Sequence, residues 1–151
     1  MVLILPIVAL ANTVAAQQPA FYKLGEEELN GIKIYDLLQD SSKNIWIASD
    51  HGIIKFDGYT FKNIPSKNLL NKSLFDLKMD YEGSIYCKNL TGPIFKVVND
   101  SLELFFDLPD SMRSLDVRYS FDYQNSLIVS ANSLLRYSEE QGVQILYHPN
   151  Y

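Results

Sequence analysis

A chain of 151 residues that is 47% apolar and 13% aromatic carries enough side-chain bulk for a packed core, which excludes global disorder. Its net charge of −5, with Lys and Arg scattered singly, excludes a phosphate-binding stripe and with it a nucleic-acid partner. A single cysteine, Cys87, excludes an internal disulfide framework and a Cys-rich metal site. Its place in the run Ile85-Tyr86-Cys87 reads as a small buried apolar residue.

Residues 1–16 are uncharged and mostly apolar, and they end in Thr13-Val14-Ala15-Ala16 before Gln17-Gln18-Pro19. Val14 and Ala16 suit the small-residue positions of a signal-peptidase site, and the run falls short of the roughly 20 residues a spanning helix needs. An exported chain with a signal peptide at 1–16 is expected. No Lys or Arg precedes the run, so an uncleaved anchor is the other reading. The lead-in, residues 17–33, holds Gly25-Glu26-Glu27-Glu28, which reads as a solvated turn. The stretch from Phe21 to Leu29 could supply a strand that closes a ring.

From Ile34 onward a pattern repeats. Asp40-Ser-Ser-Lys-Asn-Ile-Trp returns as Asp80-Tyr-Glu-Gly-Ser-Ile-Tyr and again as Asp122-Tyr-Gln-Asn-Ser-Leu-Ile, at spacings of 40 and 42 residues. That period marks a propeller or solenoid, whose single units cannot bury their own apolar faces. Each unit opens with a strand-like run (Ile34–Asp40, Leu74–Asp80, Val117–Asp122) and then turns at its Asp. The Asp carboxylate can accept the turn's own N–H groups, and Gly83 or Asn125 late in the turn suits positive φ. Lys43 stands at that place in the first unit, at a cost of about 1 kcal/mol unless Asn44 takes the role.

Second strands follow at Ile45–Ala48, Ile85–Cys87 and Leu127–Ser130. A turn comes next, carrying Gly52 and Gly92 in the first two units. Third strands at Ile53–Asp57, Ile94–Val97 and Leu134–Tyr137 share an apolar-basic-apolar rhythm, with the basic residue expected to point outward. Asp57-Gly58, Asn99-Asp100 and Gln141-Gly142 read as hairpin turns into fourth strands at Thr60–Ile64, Leu102–Phe106 and Val143–Tyr147. The fold class is therefore all-β. It is a partial β-propeller of three four-stranded antiparallel blades at 34–66, 70–108 and 115–147. Three blades cannot close a ring of four to eight, so two bare apolar flanks are expected and the chain reads as the leading piece of a longer protein.

The stretch from Asp40 to Phe61 resembles the two-component regulator propeller repeat. Trp46, Gly52, Phe56, Asp57, Gly58 and Phe61 fall in register with it, whereas Lys43 and Ala48-Ser49 depart from it. Tyr86 and Ile128 stand where Trp46 does in the later units. The resemblance covers about 34–147. It implies the periplasmic sensor region of a bacterial membrane histidine kinase, with further blades, a membrane span and a cytoplasmic kinase module for phosphorelay signalling. It also implies a small-molecule or glycan ligand and a parent able to dimerise.

Catalytic chemistry finds little footing in the residues. His51 and His148 have no partner at metal-ligand spacing and read as polar turn residues. No nucleophile elbow, zinc-binding His pair or phosphate-cradling loop occurs in the sequence, and no cofactor is expected. Asp40, Asp80 and Asp122 recur in one place per unit, which reads as a turn cap rather than paired catalytic carboxylates. Trp46 reads as inter-blade core, its replacement by Tyr86 and Ile128 suggesting a site that asks for bulk. The sequons at Asn71, Asn89 and Asn99 read as chance. The expectation is a non-enzymatic recognition segment; a secreted carbohydrate-binding or lyase propeller is the alternative.

Overall fold

In a computed structural model the chain is described over residues 23–66, 69, 71–110 and 116–148. Twelve strands form three antiparallel sheets of four, each in sequential order, and no α-helix occurs among the described residues. Blade 1 holds β1 (Ile34–Gln39), β2 (Ile45–Ser49), β3 (Gly52–Phe56) and β4 (Phe61–Ile64). Blade 2 holds β5 (Leu74–Met79), β6 (Ile85–Asn89), β7 (Ile94–Val98) and β8 (Ser101–Phe106). Blade 3 holds β9 (Arg118–Phe121), β10 (Leu127–Ser130), β11 (Leu134–Ser138) and β12 (Gly142–Tyr147). Short β-rich runs punctuated by turn residues leave each sheet only hairpin connections, which makes every pairing antiparallel. The signal-like segment 1–16 lies outside the described residues.

Side chains alternate across each strand, and the alternation assigns every blade two faces. Trp46, Ala48, Ile53 and Ile64 of blade 1 meet Leu74, Ile85, Cys87 and Phe95 of blade 2 in one buried layer. The opposite face of blade 2, with Tyr86, Ile94 and Phe106, meets Tyr119, Leu127, Val129 and Leu135 of blade 3 in a second. Blade 2 is thus buried on both sides, as the strands of a propeller's inner blades must be. Leu74, Cys87, Ile94 and Leu127 are fully excluded from solvent.

Bulges shape the first strands of blades 1 and 2. The register shifts between Ile34 and Asp36 and between Phe75 and Lys78, and Asp76 takes φ 55°. These bulges carry links between blades. An Asp36 carboxylate oxygen accepts the Leu77 N–H at 2.7 Å, and the Tyr119 hydroxyl donates to the Asp76 carbonyl at 2.6 Å. At the periphery the Leu102 N–H donates to the Pro65 carbonyl at 2.8 Å, where Ser66 pairs with Leu102 in a single parallel bridge.

Two expectations are corrected. The described part of the lead-in, residues 23–33, is a run of turns rather than a ring-closing strand, with Gly25 set against Phe61 and Leu29. The outer flank of blade 1 is not bare along its length: Leu37 is 59% exposed, but Ile47 and Ile54 on the same sheet face are buried. At the other end, Leu146 and Tyr147 of β12 are exposed.

Candidate functional site

The β1–β2, β5–β6 and β9–β10 turns, with the three hairpins that close each blade, lie on one side of the arc, and here the repeat builds the same device three times. Asp80 is 5% exposed; one of its carboxylate oxygens accepts the Glu82 and Ser84 N–H groups at 3.0 and 2.8 Å. Its other oxygen accepts the Tyr86 hydroxyl at 2.9 Å. Asp40 is bonded in the same way to the Asn44 N–H at 2.9 Å and to the Trp46 indole N–H at 2.9 Å. In blade 3 the Asp122 oxygen that caps the turn accepts the Gln124 and Ser126 N–H groups, each at 2.9 Å.

Ile128 has no proton to give, and the missing donor comes from the neighbouring strand. Arg136, which pairs across from Ile128 in the β10–β11 ladder, places Nη2 2.9 Å from the second Asp122 oxygen. The site of Trp46 and Tyr86 therefore asks for a hydrogen-bond donor as well as bulk, correcting the reading of bulk alone. A buried carboxylate oxygen left without a partner would cost roughly 1–3 kcal/mol, which is why each blade supplies one.

Lys43, Gly83 and Asn125 occupy the same turn position with φ of 72°, 87° and 58°. Lys43 itself, not Asn44, adopts the left-handed conformation; Asn44 is held by Asp40, which accepts its backbone and side-chain N–H groups. Asn125 has a second use, for its side-chain oxygen accepts the Tyr81 N–H from the adjoining blade at 2.9 Å. Gly52, Gly58 and Gly92 sit in hairpin turns with positive φ. Asp57 caps its hairpin by accepting the Tyr59 and Thr60 N–H groups at 2.9 and 2.8 Å.

The basic residues of the third strands do not simply point outward. The Lys55 ammonium lies 5.1 Å from the centre of the Trp46 ring, and Lys96 lies 5.3 Å from that of Tyr86. Both are half-buried cation–π contacts across a strand pair. Sequence reasoning missed this role for Lys55 and Lys96, and it expected Arg136 only to point outward, not to serve Asp122. The apolar-basic-apolar rhythm was the only signal available.

Several groups have shifted protonation. Burial acts to raise the Asp40 carboxyl, but hydrogen bonds from Asn44 and Trp46 outweigh it and hold the group below its ordinary range. Asp122 is lowered in the same sense, desolvation being overcome by the Ser126 and Gln124 N–H groups and by Arg136. Burial, then the Asp80 hydrogen bond, pushes the Tyr86 hydroxyl up, and burial alone pushes up the Cys87 thiol. Tyr86 and Cys87 thus stay neutral at ordinary pH, and the thiol has no thiolate character to make it a nucleophile.

Between blades 2 and 3 this side of the arc opens into a cleft of about 560 Å³, lined among others by Tyr86, Lys96, Phe105, Tyr137, Glu139 and Glu140. It presents aromatic faces, carboxylates, the Lys96 ammonium and Arg136, a set that can recognise a polar ligand. His51 lies elsewhere, in the β2–β3 turn, bonded to Asp50 at 2.7 Å. No group of three or more metal-ligating side chains occurs among the described residues.

The three stacked sheets define the chain as an arc of a β-propeller. No protein-family model matches it, and no curated protein matches it in sequence. Among solved structures it is similar to virginiamycin B lyase from Staphylococcus aureus, with a TM-score of 0.60 at 14% identity over 78% of this chain and 42% of that one. A streptogramin B lyase gives 0.60 at 19% identity, covering 78% of this chain and 41% of the other. The extracellular domain of a B. thetaiotaomicron signalling protein, described both as a one-component and as a hybrid two-component system, gives 0.53 at 22% identity, covering 75% and 15%. These likenesses establish the fold. The chain spans less than half the length of each of these structures.

Proposed function

We propose that the chain forms the leading blades of an extracytoplasmic propeller that recognises a ligand for a two-component histidine kinase, and that it is not catalytic by itself. The observation that carries this reading is the blade motif from Asp40 to Phe61, repeated around hydrogen-bonded Asp turns in three stacked sheets. The likeness to an extracellular signalling domain supports it. In this reading the signal-like segment 1–16 exports the chain, a membrane span and kinase lie further along the parent, and a small-molecule or glycan ligand is bound on the periplasmic side. Three blades of this size account for 42% of the lyase chain, so a ring of that length would hold about seven. An antibody against the three blades should detect a membrane-bound protein far larger than 151 residues in the source cells. Detection of only a soluble protein of this size would sink the reading.

The second reading, a secreted lyase or carbohydrate-binding propeller, is favoured by the higher TM-score to the two lyases. Turnover of quinupristin, which one of the solved virginiamycin B lyase structures contains, would support it. Retention of the intact compound by the purified protein would count against it.

A further inference from the structure

The two blade junctions treat their charged side chains differently. At the first, Lys62 pairs with Asp100 at 2.8 Å, so ammonium and carboxylate answer each other. At the second, the Lys96 ammonium lies 5.3 Å from the centre of the Tyr86 ring and 5.9 Å from that of Phe105, and among the described residues it has no ion pair. Glu82, Glu139 and Glu140 line the same cleft, are exposed, and also have no ion pair among the described residues. Arg136, which reaches the cleft too, is engaged by Asp122 and Gln124. One ammonium and three carboxylates therefore surround a single opening without meeting, and both signs are left for a third molecule.

Among these charges stands a set of aromatic rings. Tyr86 and Phe105 meet edge to face at 5.0 Å, and Phe105 and Tyr137 do so at 5.6 Å. The Tyr86 hydroxyl is engaged by Asp80, which leaves its ring, whereas Phe105 and Tyr137 are half-buried at the opening. A cationic ligand would meet Lys96 already seated over the rings that attract cations. An anionic one would meet the field of three carboxylates. A neutral sugar avoids both: its hydroxyls accept from the ammonium and donate to the carboxylates, while its C–H face packs against the aromatic rings. We infer that the cleft between blades 2 and 3 is a carbohydrate site for a neutral sugar, held by Lys96, Glu139 and Glu140 and stacked on Phe105 and Tyr137. The cleft, at about 560 Å³, has the size of a small-molecule site. This rests on the recognition role proposed above, and it gives that role a place and a ligand chemistry.

The test titrates the 151-residue chain with the methyl glycosides of glucose, galactose, mannose and xylose, and separately with tetramethylammonium chloride, sodium sulfate and glycine. NMR follows the ring protons of Phe105 and Tyr137. At least one glycoside should shift them saturably, and the cation, the anion and the zwitterion should not. Lys96→Met should weaken that glycoside at least about fivefold, the loss of one charge-assisted hydrogen bond, and should open the cleft to tetramethylammonium. Glu139→Gln with Glu140→Gln should weaken the glycoside by a similar factor and admit sulfate at Lys96. No shift with any of the four glycosides would overturn the inference. So would tighter binding of tetramethylammonium, sulfate or glycine by the unaltered chain, or glycoside binding equal in all the variants. None of these readouts involves a membrane span or a kinase, so failure here and failure of the sensor reading are told apart.

Discussion

The junction between blades 1 and 2 and that between blades 2 and 3 are built from the same repeat, yet they open differently: the first into a cavity of about 910 Å³ along β8 beside Pro65 and Ser66, the second into the cleft above the turns. At the first junction Lys62 reaches across and pairs with Asp100. At the second, the place of Lys62 in the strand ladder is taken by Glu103, and the facing hairpin carries Glu139 and Glu140. Among the described residues no ion pair joins Glu103 to that hairpin, and the cleft of about 560 Å³ lies there. The difference teaches that the apolar layers hold the arc together at both junctions, while the polar groups at the rim set how each junction ends.

The largest expected effects come from the apolar layers. Leu74→Ala at the first junction and Leu127→Ala at the second should each cost about 2–5 kcal/mol in chemical denaturation, both side chains being wholly buried. Because blade 2 joins both layers, each change should shift one common transition; a transition confined to one blade would break the symmetry drawn between the junctions.

Asp80→Ala should come next, at about 2–3 kcal/mol, since it leaves the Tyr86 hydroxyl and two turn N–H groups without their acceptor. Tyr86→Phe should lose less, and a loss as large as that of Asp80→Ala would show that the hydroxyl, not the turn, carries the effect. Lys43→Gly should stabilise the chain by up to about 1 kcal/mol by relieving the left-handed lysine at φ 72°. Any destabilisation would contradict that geometry.

The smallest effect is expected at the bridge itself. Lys62→Met should change stability by no more than about 1 kcal/mol, and the change should vanish in high salt. Asp100 has a carboxyl lowered by its hydrogen bond to Lys62, so its contribution is complete above the ordinary carboxylate range near pH 4. It fades as pH falls through the lowered value, and Lys62→Met should flatten that acid limb of the stability curve. An unchanged limb would remove the bridge from the account of the first junction.

Much of this fold is legible in the residues because the turn chemistry is local. Asp40, Asp80 and Asp122 each announce a turn within four positions, and the strands on either side follow from alternation and β-branching. The exception at Lys43 was visible as a cost, but whether Lys43 or Asn44 bore it depended on the carboxylate of Asp40, which engages Asn44. Contacts between blades were far less legible. Lys62 with Asp100, Tyr119 with Asp76 and Tyr81 with Asn125 join residues 38 to 44 positions apart, and no local pattern marks them. Arg136 standing in for the absent donor at Ile128 required the strand ladder that sets the two side by side. The bulges at Asp36 and Asp76 escaped for the same reason: an extra residue in a strand shows only when its partner is in place.

The central claim is that three sheets stack face to face and that the middle one is covered on both sides. Amide hydrogen exchange of the intact chain tests it directly. Amides of β6 and β7 in blade 2 should exchange slowest, near the global unfolding limit, and those of β12, where Val143, Ile145, Leu146 and Tyr147 are exposed, fastest among the strands. Slow exchange in β12, or equal protection in all three sheets, would contradict the stacked arc.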